Sequence, residues 1–188
     1  AGHALVASVL PHADPVHKIS IISRGRALGY MLKLPTIERK TQSKHEFLDD
    51  IAVTLGGYAV EKTIFGDITT GPSNDLQVAS ALARDMVTKY GMSDEMGPQS
   101  LLPAGGKTMF GSGVEERNHS EKTNERIDAE VEKIIKNAYG RALEIIEKHR
   151  SALDAIVKEL IDKETLEQAE YEEILKREGI EVEKVSHR

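Results

Sequence analysis

The sequence predicts a mainly α-helical domain carrying a small antiparallel β-hairpin or sheet, and three observations predict it. Apolar residues recur at helical spacing in six separate stretches. A single short pair of strand-like runs lies between residues 18 and 34. Aromatic residues make up only 4% of the chain, so the core has to be built from Ile, Leu, Val and Ala. At 188 residues there is material for one good-sized domain, or for one domain with an appended subdomain.

The elements follow in order. AGHALVASVLPH opens inside an apolar segment, with Leu5, Val6, Val9 and Leu10 ahead of Pro11. It has no initiator Met and no N-cap residue, so it reads as a helix met part-way along, behind an artificial boundary. Next, Lys18 to Ser23 is rich in Ile, and Leu28, Tyr30, Leu32 and Leu34 alternate. Gly25-Arg26 between them suggests an antiparallel pair, which Pro35 ends. Gly29 inside a strand marks a weak or closely approached backbone. Ser43-Lys-His-Glu46 is a capping box, and behind it Leu48, Ile51, Ala52, Leu55 and Ala59 define a helix to about Ile64. Gly56-Gly57 inside that helix costs about 1 kcal/mol per glycine relative to Ala. Close approach of another element is the expected reason. FGDITTGPSND is a turn-rich loop leading to a helix from about Asn74 to Tyr90. Its expected inner face is Leu76, Ala79, Ala83, Met86, Val87 and Tyr90, with Gly91 as its stop.

Residues 92–118 carry Gly, Pro and Ser without sustained periodicity and read as an exposed, partly mobile loop. Three amphipathic helices are expected beyond it. The first, from about Ser120 to His149, turns Ile127, Val131, Ile134, Ile135, Ala138, Ala142 and Ile145 inward. The second, from about Ser151 to Asp162, turns in Leu153, Ile156, Val157 and Leu160. The third starts at a capping box, Thr165-Leu-Glu-Gln168, and stops near Gly179. Short links imply antiparallel packing. The expected organisation is a core over 1–98, a flexible loop over 99–118 and a C-terminal helical subdomain over 119–188, one structural domain overall.

Composition narrows the chemistry. There is no cysteine, so disulfides and thiolate metal sites are excluded. A net charge of −6 gives no support to nucleic-acid binding. No run of about 18 apolar residues is present, and no signal peptide is recognisable; both statements concern this stretch alone.

Titratable residues give weak signals one by one. A lone histidine on an apolar helix, such as His3, is more often a hydrogen-bonded core residue than a ligand. His12 and His17 in PHADPVHK read best as solvated turn residues. His45, His119, His149 and His187 have no coordinating neighbours in sequence. Asp75, in the first turn of its helix, would ordinarily be a cap or a dipole partner. Glu61 reads equally well as a surface helix acid, and Asp49, Asp50 and Asp67 as solvated or capping residues.

Longer blocks carry more. AGHALVASVLPHADPVHKISIISRGRALGYM, followed by LGGYAVEKTIFGDITTGPSNDLQVASALARDMVTKYGMSDEMGP, resembles the peptidase domain of the FtsH family, the membrane-anchored, ATP-dependent zinc metalloproteases. The resemblance is dense over residues 1 to about 98 and looser beyond. The family's first block reads His-Glu-Ala-Gly-His, of which this chain holds the last three residues, Ala1-Gly2-His3. The resemblance therefore implies a zinc-ligating His and the general-base Glu immediately before Ala1, so no catalytic base lies in the chain. Two His four apart share one helical face and can bind one Zn²⁺. His3 inherits the second histidine position. The block Gly71-Pro72-Ser73-Asn74-Asp75-Leu76 makes Asp75 the third ligand. Glu61 matches a family glutamate and is expected behind the ligands, bonding a ligand His N–H. Ala27, Leu28, Gly29 and Tyr30 resemble the edge strand beside the metal, where an extended substrate could pair through its main chain.

The resemblance also implies Zn²⁺ as cofactor, with ATP and Mg²⁺ confined to an ATPase module outside this chain. It implies unfolded polypeptides as substrates and a homo-hexameric parent protein anchored in a membrane. The peptidase domain would face the cytoplasm, or an organelle matrix or stroma; this stretch itself would be soluble and touch neither membrane nor nucleic acid. A stretch beginning at Ala1 would be inactive. Two alternatives stand beside this reading: a non-catalytic helical oligomerisation module of the same assembly, and a different metal site combining His3 with His12 or His17.

Overall fold

The computed structural model describes residues 1–23, 29–34, 41–101 and 119–182. Among the described residues nine elements follow one another: α1 (Gly2–Val9), β1 (Val16–Ser20), β2 (Tyr30–Lys33), α2 (Lys44–Phe65), α3 (Ser73–Thr88), α4 (Glu121–Lys148), α5 (Arg150–Lys163), β3 (Thr165–Glu167) and α6 (Gln168–Arg177). The fold is mainly helical with one small antiparallel sheet, as the sequence predicts.

Local chemistry starts and stops the helices. The Ser43 hydroxyl accepts from the Glu46 amide while the Glu46 carboxylate accepts from the Ser43 amide, so both halves of the capping box form. Gly66 closes α2 in the left-handed region at φ 67°. Ser120 caps α4 through the Thr123 amide. α2 is the centre of the molecule and packs against α1, α3 and α4. Its contact with α1 is backbone on backbone: a Cβ at Gly56 would stand 3.1 Å from the Gly2 carbonyl oxygen, and one at Gly2 2.7 Å from that of Gly56. The glycines in this helix are there for close approach.

The sheet has the order β2-β1-β3. Ile19 of β1 lies opposite Met31 of β2 and Leu166 of β3. Residues directly opposite share a face, so burial of Ile19 places Met31 and Leu166 on the core side. This corrects the alternation expected for β2: Leu32 and Leu34 are exposed, and the register turns Met31 inward instead. The opposite face carries the Lys18–Glu167 ion pair.

β3 is a second correction. Thr165 does not cap the last helix; it pairs with Ser20, and their hydroxyls are 2.9 Å apart. The box that forms lies two residues later, between Glu167 and Glu170. β1 needs partners for its second edge, and that pairing outcompetes the earlier cap.

The C-terminal helices do not form a bundle of their own. α4 lies on α2 and α3, while α5 and α6 close over α1 and β1. The buried Tyr171 hydroxyl meets the Ser8 hydroxyl at 2.8 Å, tying α6 to α1. One buried cluster runs from Ala4 to Ile180. Val157, Leu76 and Tyr90, expected inward, are exposed.

Residues 92–101 are also folded down rather than exposed throughout. Met96 and Leu101 pack with Val87 and Ile127, and the Ser93 hydroxyl donates to the Glu130 carboxylate at 2.7 Å. Residues 102–118, the rest of the expected loop, lie outside the described residues. The Ser93 bond, helped by Lys133, holds the Glu130 carboxyl below its ordinary value of 4.5. A carboxyl depressed in the folded state stabilises fully above its unfolded value and loses that contribution as pH falls through the folded one. Glu130→Gln should therefore flatten the acid limb of stability below pH 4.5, measured by urea unfolding between about pH 3 and 6.

Candidate metal centre

Two side chains meet where α1, α2 and the start of α3 converge. His3 comes from the first turn of α1 and Asp75 from the first turn of α3. The His3 Nε2 and Asp75 Oδ2 atoms are 3.3 Å apart, and each side chain is one third exposed. On its other side the His3 ring is anchored by α2, where Nδ1 donates to the Val53 carbonyl at 2.9 Å. That bond accounts for a proton on Nδ1 and turns Nε2 toward the carboxylate. Two electron-rich atoms facing each other at this distance require a proton or a cation between them.

The spacing suits a metal ion. Two ligands about 2.0–2.1 Å from one zinc, at a tetrahedral angle, are separated by about 3.3 Å. Imidazole nitrogen with carboxylate oxygen is also a donor set that zinc accepts. Space for the pair is made by Gly57. A Cβ there would stand 2.7 Å from His3 Nε2 and 3.7 Å from Asp75 Oδ2. The sequence marks Gly57 as a site of close approach; the partner it makes room for, and the Val53 anchor, become visible only in the fold. Among the described residues no third His, Cys, Asp or Glu joins the two donors.

The pair opens onto a groove of about 1080 Å³. One wall is Gly29, Tyr30 and Met31 of the β2 edge, and the other is the turn into α3, from Thr70 to Asn74. Of the expected substrate-strand residues, Gly29 and Tyr30 stand on this wall, while Ala27 and Leu28 lie outside the described residues. A Cβ at Gly29 would come within 2.6 Å of the Ser20 carbonyl, so glycine lets β2 close on β1 there. Ala1 lines the same groove.

Other candidates are placed elsewhere. Glu61 does not bond a ligand histidine among the described residues. Its Oε2 accepts from the Thr69 amide and hydroxyl, each at 3.0 Å, while His3 Nδ1 donates to Val53. His12 stacks on His45, ring centroids 5.4 Å apart, and neither His12 nor His17 lines the groove. Asp49 is not solvated. It is buried, with Arg141 Nη2 and the His12 amide donating to it at 2.6 and 3.0 Å. Asp50 pairs with Lys33 at 3.0 Å, and Asp67 caps its own turn at Ile68.

Comparison with known proteins shows the family. The chain is 46% identical over 180 residues to the ATP-dependent zinc metalloprotease FtsH of Thermotoga maritima, covering 95% of this chain and 30% of that protein. The same-named protein of Pseudothermotoga lettingae is 48% identical over 179 residues, covering 94% and 29%. That of Endomicrobium trichonymphae is 44% identical over 181 residues, covering 96% and 29%. The chain thus spans about three tenths of the length of these relatives. The profile of peptidase family M41 matches residues 1–174, and the chain belongs to that family.

Proposed function

We propose that this chain is the metal-binding core of a zinc metalloendopeptidase that works with an ATPase module on unfolded polypeptides. The observation that carries the reading is the His3–Asp75 pair, 3.3 Å apart at the edge of a strand-walled groove. His3 and Asp75 would hold the ion, leaving a third protein ligand to be supplied from outside the described residues. When bound, zinc polarises a scissile carbonyl and acidifies a water molecule.

The chain's own residues do the rest. By accepting from Nδ1, the Val53 carbonyl would keep His3 Nε2 turned toward a bound ion. The outer position of β2 in the sheet would let an extended peptide lie along it, a mode of binding that tolerates many sequences. The proton must travel from water to the leaving amine by way of a carboxylate. We place that carboxylate immediately before Ala1, which already lines the groove. A membrane anchor, a homo-hexameric ring, and ATP and Mg²⁺ in the ATPase module belong to the same proposal. Among the described residues no helix is long and apolar enough to cross a membrane.

Metal removal tests the reading. The full-length protein should degrade an unfolded chain such as casein, lose that activity on chelation and regain it with added Zn²⁺. Robust cleavage by thoroughly metal-depleted protein would overturn it.

A further inference from the structure

We infer that Glu61 is a positioning residue for Asp75, acting through Thr69 and the turn that joins α2 to α3. The inference rests on the metal-site reading above and assigns this glutamate a task in building the site.

Glu61 lies one helical turn beyond Gly57 on α2. Its Oε2 atom takes both donors of Thr69, the amide and the hydroxyl, at 3.0 Å each. Having given its proton to Glu61, the Thr69 oxygen is free to accept, and the Gly71 amide donates to it at 3.0 Å. Gly71 has no side chain to obstruct this: a Cβ there would be 3.1 Å from both Glu61 Oε1 and Thr69 Oγ1. The three residues interlock as one polar relay from α2 to the threshold of α3.

That threshold is held by the buried Pro72 and by backbone bonds, without a side-chain cap. The N-cap of α3 is Pro72, which makes no side-chain cap bond. Helix starts normally rely on such a cap to satisfy their first amides. Here the chain enters α3 two residues after the relay, with the Ser73 amide donating to the Thr70 carbonyl at 3.2 Å. Asp75 is the third residue of the helix. A shift in the turn therefore moves the carboxylate that faces His3. α2 thus places both donors: Val53 holds the histidine and Glu61 holds the segment that delivers the aspartate.

The experiment is a zinc titration of the full-length protein, against a competing chromogenic chelator, alongside metal-free thermal unfolding. Glu61→Ala should weaken zinc binding about 10- to 100-fold with little change in the metal-free unfolding midpoint. Glu61→Gln keeps an oxygen that can accept from Thr69, and should return affinity to within about threefold of wild type. Thr69→Val placed in the Glu61→Ala background should add almost nothing, since the relay is already broken. Glutamine as poor as alanine would mean that the charge acts on the metal directly and would overturn the inference. So would additive losses from Glu61→Ala and Thr69→Val, or wild-type affinity in Glu61→Ala. If wild-type protein binds no zinc, the metalloprotease reading itself falls and takes this one with it; zinc binding that is indifferent to Glu61 defeats this one alone.

Discussion

Gly57→Ala is expected to abolish useful zinc binding, by about 100-fold or more in affinity, without unfolding the protein. The added methyl would stand 2.7 Å from His3 Nε2 and 2.9 Å from Cε1, closer than non-bonded atoms tolerate. The ring cannot swing aside freely, because its Nδ1 bond to Val53 pins it across α2. If the ring moves, that bond breaks. If it stays, the methyl sits among the ligand atoms, with Asp75 Oδ2 only 3.7 Å away. In the helix itself the substitution is favourable, since alanine exceeds glycine by about 1 kcal/mol in a helix interior. That gain is of the same size as the loss of the Val53 bond, about 1 kcal/mol, so metal-free stability should change little while metal affinity falls. Circular dichroism and thermal unfolding of the metal-free protein should show helix content and a midpoint close to wild type. Zinc titration should show the loss. A variant that binds zinc like wild type would mean that the ion does not sit beside His3 Nε2.

That experiment probes a feature only half legible in the sequence. Two adjacent glycines in a helical stretch announce a close neighbour, but the neighbours differ. Gly56 meets the α1 backbone, while Gly57 meets an imidazole. Capping boxes, apolar spacing and turn residues placed most helices within two or three residues, because those signals are local. Failures came where two local signals competed or where pairing decided. Thr165/Gln168 and Glu167/Glu170 overlap as capping boxes, and only the need of β1 for a partner chooses between them. Leu32 and Met31 are equally apolar, and the register opposite Ile19 selects Met31. The His3–Asp75 pairing joins residues far apart in the chain, so nothing in their spacing reveals it; the family resemblance raised it and the fold places the two atoms together. Asp49 shows the same limit. An acid on a helix is normally solvated, and its burial makes sense only with an arginine 92 positions away.

Arg141→Met should be among the most destabilising single changes outside the metal site. Asp49 is only 2% exposed, whereas Arg141 is 41% exposed. The carboxylate therefore bears most of the desolvation, and the guanidinium is the partner that makes it tolerable. Without Arg141, Asp49 would keep one of its two described hydrogen bonds, from the His12 amide. Stranding a buried charge costs about 3–5 kcal/mol. Water reaching the partly open Arg141 side places this case near the lower end, about 3 kcal/mol. For a chain of this length that corresponds to roughly 6–12 °C in unfolding midpoint. The design of the check follows from the cause. Asp49→Asn combined with Arg141→Met removes the buried charge yet keeps an acceptor for the His12 amide. The double variant should recover most of the loss in denaturant unfolding, so the two changes should be strongly non-additive. Asp49→Ala alone should cost less than Arg141→Met, because it leaves a guanidinium that can turn to solvent. If Arg141→Met proved neutral, or if the double variant were no better than the single, the pair would be an ordinary surface contact and α4 would owe its seat on α2 to apolar packing alone.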